Sequence, residues 1–522
     1  MVLTKKQTVN SMKNVIRQTK YFFVVVMVVF FAACQPNELP QPSEIGNATT
    51  YDVDNTAASG KGDRVIYELN LYNFTSAGTF AAAESELNRL HKLGVDIVWL
   101  MPIQPRGEGD ASMGISKIGS LGSPYSIRDY VSVNPDHGTT ADMKHFVDAA
   151  HALGMEVWMD WVPNHTAPDN VWVNEHPEYY VLENGKPKTV RYPNNSNRYN
   201  DVCQLNFNNP DMVNAMIEAM CYWISNTGID GYRVDFVSSP VIGNDFWDQC
   251  IGKLRQLKPD IALMGEADFD TDENNHLFNA GAADGGFNYD YAWAFNDNVK
   301  GFGNSRNVAT LLTACRTLVD NQHYAQMDRM VYLTNHDDGE LDNGKVKTPH
   351  YILVLGDNLA PLTVLEFTFY GMPLLFNGQE IGYPTLLDNF NRTPIDWTNR
   401  NAKIEHTIRT LVALRHSYPC FHGGTAAERP VTTFLQTSAA EQNTTIAYTK
   451  EKNGQKALVV LNFSRAQTVT IFKCPEGNAT LLLDSRTIAN GPTKAPAVLR
   501  GQYPGTVTID MEGKGYAVFM MD

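Results

Sequence analysis

From about residue 63 to residue 416 the sequence switches period again and again. Apolar runs of strand length alternate with stretches whose apolar residues recur every three or four positions, as on one face of a helix. "RVIYELNLY" (64–72) precedes a helical stretch with Leu87, Leu90 and Leu93 on one face and Gly94 at its end. "VDIVWLMP" (95–102) precedes a helix capped by Thr139 or Thr140, with Met143, Phe146, Val147, Ala150 and Leu153 as its stripe and Gly154 as its stop. "MEVWMDWV" (155–162), "IDGYRVDFV" (229–237), "IALMGEA" (261–267), a less regular stretch at 281–295, "RMVYLTNHD" (329–337) and "MPLLFNG" (372–378) continue the series. Helices are expected near 211–227, 245–257, 306–320, 357–370 and 402–416. About eight strand–helix units in succession predict an α/β fold closed into a parallel (β/α)8 barrel rather than an open sheet.

Two regions break the alternation. Residues 166–206 are rich in Asn, Pro and Tyr and read as a small inserted domain. From about residue 425 short alternating strands take over: "TIAYTK" and "KALVVLNF" flank Asn453-Gly454, a strong hairpin signal, and "TVTIF", "TVTIDM" and "YAVFMM" follow. The expected organisation is a barrel over 63–424 with its insertion, then a C-terminal antiparallel β-sandwich over 425–522.

The N-terminus reads differently. Residues 1–20 carry Lys5, Lys6, Lys13, Arg17 and Lys20 and no acid, and Tyr21 to Ala33 is an uncharged apolar run too short to span a bilayer as a helix. This is the layout of a secretory signal. Ala32 and Ala33 directly before Cys34 resemble a bacterial lipoprotein cleavage box, with Cys34 as the lipidated residue. Residues 34–62 then read as a tether. The expectation is an exported, lipid-anchored protein on the periplasmic side or cell surface. Six cysteines follow Cys34 without a CxxC pair, which argues against zinc, and free buried thiols are expected. The net charge of −15 argues against nucleic acid and anionic membrane surfaces as partners.

In such a barrel the chemistry lies at the C-terminal ends of the strands. "MDWVPNH" brings Asp160, Asn164 and His165 there. "GYRVDFV" brings Arg233 and Asp235, "MGEAD" brings Glu266, and "TNHD" brings Asn335, His336 and Asp337. A single aspartate at a strand end is ordinarily a turn former. Four strands delivering acids to one rim is a different observation, and no HExxH-type metal motif accompanies them. Paired carboxylates on adjacent strands suit retaining glycoside chemistry, which needs a nucleophile and a protonated acid about 5–5.5 Å apart. Arg233, two residues before Asp235, is expected to hold that aspartate ionised and aimed. The apolar strand around Glu266 is expected to favour its protonated form. The glycine-rich run 107–123 is followed by Pro124 and Tyr125 rather than a helix, so it reads as an active-site loop and not a phosphate cradle.

These strings together resemble the α-amylase family, glycoside hydrolase family 13. "DWVPNH", "GYRVDFV", "MGEAD" and "LTNHD" resemble the family's third-, fourth-, fifth- and seventh-strand motifs. "VDIVWLMP", "GMPLLFNGQEIG", "SPYSIRDY" and "RTPIDW" resemble further family segments, in the same order along residues 63–522. The resemblance implies a TIM barrel with a domain B insertion and a C-terminal β domain. It implies Asp235 as nucleophile, Glu266 as acid/base and Asp337 as the third acid. It further implies that Tyr125, His165, Asp160, Arg233 and His336 bind or frame the sugar, with Asp129 bracing the site. The implied substrates are α-glucans or malto-oligosaccharides, with α-1,4 bonds foremost. An α-glucosidase, a neopullulanase or a trehalose-forming transferase would use the same scaffold. The intact acids argue against a non-catalytic glycan-binding relative.

The sequence also departs from the family pattern. Many members have Lys-His where this chain has Ser238-Ser239, and an aspartate calcium ligand where it has Gln204. Asn164, another usual ligand, is retained. A hard dication prefers carboxylate oxygen, so calcium would find a poorer site here. The expectation is that no cofactor is required.

Overall fold

The computed structural model describes residues 62–190, 199–267, 276–278, 286–320, 327–338, 341–342, 345–346, 351–474, 478–486, 498–501 and 505–521. The signal reading for 1–33, Cys34 and the tether as far as residue 61 lie outside the described residues. No helix among the described residues is long and apolar enough to cross a membrane.

Eight parallel strands close into a barrel in simple chain order. They are β1 (Ile66–Leu69), β2 (Ile97–Leu100), β3 (Glu156–Trp161), β4 (Gly231–Val234), β5 (Ala262–Gly265), β6 (Tyr289–Tyr291), β7 (Asp328–Val331) and β8 (Met372–Phe376), with β8 pairing back onto β1. Alternate residues point inward: Ile66, Ile97, Trp99, Trp158, Met264, Tyr289, Tyr291, Met330, Met372 and Leu374 lie in one buried cluster. The barrel is thus filled with side chains, not open as a pore.

The strands are shorter than the apolar runs that announce them, and local bonds explain where they stop. β1 ends at Leu69 because Asn70 accepts from the Tyr72 amide at 3.1 Å and starts the helix Leu71–Phe74. β7 ends at Val331, so Asn335, His336 and Asp337 lie in the turn beyond it. Thr139 caps the helix Thr140–Ala152 in a reciprocal capping box with Asp142. Asn209 caps Pro210–Thr227, and Gly228 ends it in the left-handed region that glycine tolerates.

The insertion after β3 forms a small sheet of His165–Thr166, Tyr199–Gln204 and Thr189–Val190. Gln204 pairs with His165, so the insertion is laced directly to the end of β3. The glycine-rich run forms a small hairpin, Gly109–Asp110 with Ile115–Ser116. The C-terminal domain is a five-stranded sheet facing a four-stranded one, both antiparallel. Asn453 and Gly454, both at positive φ, make the two-residue turn between Thr445–Lys452 and Gln455–Asn462. Thr368–Tyr448 and Thr407–Tyr516 hydroxyl pairs, each 2.6 Å, fix this domain to barrel helices Leu359–Thr368 and Ala402–Ser417. Cys203, Cys221, Cys250, Cys315, Cys420 and Cys474 are all free thiols.

Candidate active site

Register sets the geometry of the rim. Val234 of β4 pairs with Gly265 of β5, so the next residues, Asp235 and Glu266, leave neighbouring strands at one level. Arg233 pairs with Asp160 of β3 in the same way. The Arg233 guanidinium lies 3.0 Å from Asp160 Oδ1, 2.8 Å from Glu266 Oε2 and 3.5 Å from Asp235 Oδ1. Glu266 Oε2 also accepts from the Phe236 amide at 2.9 Å. Phe236 holds that amide in place from a left-handed conformation, φ 45°. A bulky residue pays strain there, and such strain gathers at functional sites.

Exposure separates the acids that frame the site from those that face a ligand. The side chains of Asp160 and Arg233 are 0% and 1% exposed, while Glu266, Asp235 and Asp337 are 10%, 16% and 42% exposed. Asp337 is anchored by its neighbour Asn335: the Asn335 amide reaches Asp337 Oδ2 at 3.3 Å and also bonds the Tyr291 hydroxyl.

The electrostatics depart from the expectation for Arg233. All three acids face its terminal nitrogens, but Glu266 at 2.8 Å and Asp160 at 3.0 Å lie closer than Asp235 at 3.5 Å. Burial, then the Glu266 charge, push Asp235 well above the usual carboxylate range, and Arg233 offsets this only in part. The Glu266 charge beside it thus resists ionisation of Asp235. The expected apolar setting of Glu266 holds for its strand but not for its carboxylate, which has two N–H donors. Burial raises Asp160 against the pull of Arg233 and His336. Asp337 stays below its ordinary value, because His336, Arg233 and Lys300 together outweigh burial.

Tyr125 and His336 join this group. The Tyr125 hydroxyl lies 3.0 Å from Asp160 Oδ2 and 2.7 Å from His336 Nε2, and the two rings stack at 5.2 Å. His165 sits one layer out. Its Nε2 bonds the Tyr125 carbonyl at 3.1 Å, and burial lowers its imidazolium to about 4, so it is a neutral brace for the Tyr125 loop. Asp129 is not brought to the carboxylates. Its oxygens accept from the Val131 amide at 3.0 Å and the Ser132 hydroxyl at 2.5 Å, which makes it a turn former in its own loop.

The residues at the family's calcium position do not fit that ion. Asn164 Oδ1 accepts from the Ser239 hydroxyl at 2.7 Å, and the Asn164 carbonyl accepts from Gln204 Nε2 at 2.9 Å. The Asn164 amide is turned to His165 Nδ1 at 3.0 Å. Donors thus occupy the oxygens a cation would need, and among the described residues no carboxylate joins them. Among the described residues no group of three or more His, Cys, Asp or Glu is placed to hold a metal.

Glu68, Lys300 and Asn389 escaped the strand-end survey. Glu68 reaches His336 from β1, Lys300 pairs with Asp338 at 2.6 Å, and Asn389 Nδ2 donates to the His336 carbonyl at 2.6 Å. For Glu68 a signal existed: a charge inside the apolar strand "IYEL", the same anomaly that marks Arg233.

The sequence matches the family model described as "Alpha amylase, catalytic domain" over residues 51–412. The chain belongs to the α-amylase family. The fold agrees: the maltogenic α-amylase AmyB of Thermotoga neapolitana superposes with a TM-score of 0.64 at 26% identity, covering 88% of this chain and 96% of that one. Among curated α-amylase-family relatives, the α-amylase MalA of Haloarcula japonica is 24% identical over 455 residues, 86% of this chain and 61% of that protein. The α-1,4-glucan:maltose-1-phosphate maltosyltransferase of Mycolicibacterium smegmatis is 35% identical over 202 residues, 36% of this chain and 28% of that protein. The matches thus span 28% and 61% of the length of these two curated relatives.

Proposed function

We propose that this α-amylase-family chain is a retaining α-glycoside hydrolase acting on α-glucans or malto-oligosaccharides, at α-1,4 bonds. The observation that carries the reading is the paired register of β4 and β5, which presents Asp235 and Glu266 side by side at the rim. Asp235 attacks the anomeric carbon as the bond to the leaving sugar breaks, and Glu266 gives its proton to the leaving oxygen. Glu266 then takes a proton from water while that water displaces Asp235, so the product keeps the α configuration. One proton shared between the two acids is the count this sequence needs: on Glu266 when the bond breaks, with the charge on Asp235. Asp337, held low and open to solvent, binds sugar hydroxyls. The stacked Tyr125 and His336 rings supply the platform beside it.

A transferase reading has two observations in its favour. The leaving-group side carries Ser238-Ser239 in place of Lys-His, and a maltosyltransferase is among the relatives. A product profile on starch, pullulan, maltotriose and trehalose separates the two by the ratio of longer oligosaccharides to hydrolysis products. A mechanism-based α-glucosyl fluoride should label Asp235, read as a mass shift on its peptide. First-formed β products, or a label elsewhere, would overturn the retaining assignment.

The same proposal includes activity without calcium, supported by the hydrogen bonds that close around Asn164. It also includes export and lipidation at Cys34, supported by the run Tyr21–Ala33 and the Ala-Ala-Cys box. Palmitate labelling that persists in Cys34→Ser would sink that part.

A further inference from the structure

We propose that Glu68 is a positioning residue that keeps His336 doubly protonated, and thereby fixes the direction of the hydrogen bonds that His336 and Tyr125 make in the active site. The part concerning sugar binding rests on the α-glucan reading above.

Glu68 lies near the end of β1, in register with Trp99 of β2 and Phe376 of β8, and is 0% exposed. Its Oε1 is 2.5 Å from His336 Nδ1, while its Oε2 is buried without a hydrogen-bond partner among the described residues. A carboxylate this deep is costly unless a charge answers it. Burial raises the Glu68 carboxyl, and His336, through its short contact and with Arg233 behind it, pulls it back toward the charged form.

The rest follows from counting protons. His336 Nε2 lies 2.7 Å from the Tyr125 oxygen, and that oxygen lies 3.0 Å from Asp160 Oδ2. Tyr125 has one proton to give. With His336 doubly protonated, Nε2–H donates to Tyr125, and Tyr125 donates to Asp160. Each contact then contains a proton. With His336 neutral and its proton on Nδ1, Nε2 would claim the Tyr125 proton. Tyr125 and the buried Asp160 carboxylate would then face each other with none between them.

The charged groups around His336 are Glu68 from β1, Asp160 at the end of β3, Arg233 from β4 and Asp337 beyond β7, with the Tyr125 hydroxyl and the Trp99 ring edge-on at 6.0 Å. Burial lowers the His336 imidazolium, but Asp337 and Glu68 outweigh it and carry it to about 10. Asp337 is the stronger influence of the two, yet its side chain is 42% exposed and its oxygen is 3.5 Å away. Solvent weakens such a contact, and the sheltered, shorter Glu68 contact adds the part of the charge balance that solvent does not reach. Arg233 opposes both.

The test is Glu68→Gln, with Glu68→Asp as the conservative partner. The histidine ring carbons of isotope-labelled, substrate-free protein are titrated by NMR. The His336 signal is identified by its loss in His336→Gln, and kcat/KM on maltotriose is followed over the same pH range. In the parent His336 should stay protonated through pH 9. In Glu68→Gln it should titrate at least two pH units lower. The alkaline limb of kcat/KM should fall with it, for a loss of about twofold or more at pH 8 and tenfold or more at pH 9. Glu68→Asp should recover part of both shifts. A His336 that titrates alike in parent and Glu68→Gln would overturn the proposal, as would an equal fall of kcat/KM at every pH. Should Glu68→Gln not fold, a parent His336 titrating near its ordinary 6.5 overturns the proposal and one still charged at pH 9 supports it. The ring titration needs no substrate. Absence of parent activity on maltotriose would therefore strike the α-glucan reading and leave this one standing on the NMR.

Discussion

Strand β4 carries an aspartate just before its first residue and another just after its last, and the two are treated in opposite ways. At the entry, Asp230 accepts from His151 Nε2 at 2.7 Å, Lys258 Nζ at 2.8 Å and the Val157 amide at 2.9 Å. Those donors outweigh burial and hold its carboxyl below the usual range. At the exit, Asp235 is reached among the described residues only by Arg233, at 3.5 Å, and is pushed up. The buried arginines repeat the contrast. Arg415, at the entry side, spends its guanidinium on the carbonyls of Gly62, Asp63, Arg64, Gly371 and Phe421. Arg233, at the exit side, faces carboxylates, and its Nε has no partner among the described residues. Charge that is fully answered holds the barrel together. Charge left partly unanswered is available to a substrate, and fold stability is what such sites give up.

The largest effect tests the exit. Asp235→Asn should lower kcat by about 10⁴-fold or more, the scale seen when a nucleophile is removed. Its Tm should hold or rise, because the substitution relieves a buried charge beside Glu266. A clear fall in Tm would place Asp235 with the structural acids. Arg415→Met tests the entry. It strands several buried carbonyls, and a loss of about 3–5 kcal/mol is expected, read by urea unfolding. Activity per folded molecule should be unchanged. A selective loss of kcat would break the division between the two ends.

Asp230→Asn should cost about 1.5–3 kcal/mol, the range for hydrogen bonds to a charged group. The pH dependence supplies a sign. A carboxyl whose folded pKa is depressed contributes stability above its unfolded value, near 3.9, and that contribution is lost as pH falls through the lower folded value. The parent should therefore lose stability on acidification below about pH 4 more steeply than Asp230→Asn. His336, raised to about 10, runs the other way: its contribution is complete below about 6.5 and is lost as pH rises through about 10.

The exit side was the more legible end in the sequence, for the same physical reason. A charge in an apolar strand stands out, so Arg233, Asp235 and Glu266 marked themselves, and strand-to-helix alternation gave the barrel that gathers them. The short β6 was hidden in an irregular stretch, because three residues, Tyr289–Tyr291, are too few to show a period. Asp129 misled, since a loop aspartate that bonds its own backbone has the same letter as one that serves a site. Arg233's division among three acids depends on register and side-chain direction, which spacing along one strand does not contain. The turn at Asn453-Gly454 was readable because two positive-φ residues in succession nearly demand those types.

The joint between β3 and the inserted domain lies on the exit side but is built like the entry, and it gives the smallest and sharpest test. The oxygens of Asn164 are answered by Ser239 and Gln204, and its amide by His165. Ser239→Ala removes one donor from a buried oxygen and should cost about 1 kcal/mol. A chelator should cost nothing. Were calcium bound at a hundred times its Kd, removing it would take away about 2.7 kcal/mol, a shift that thermal unfolding resolves. The expected result is one melting curve with and without chelator, in the parent and in Ser239→Ala alike. A chelator-sensitive parent would mean that an ion separates Asn164 from its two donors. The joint would then belong with the partly unanswered chemistry of the rim, and exposure of charge, rather than its function, would be what distinguishes the two ends of the barrel.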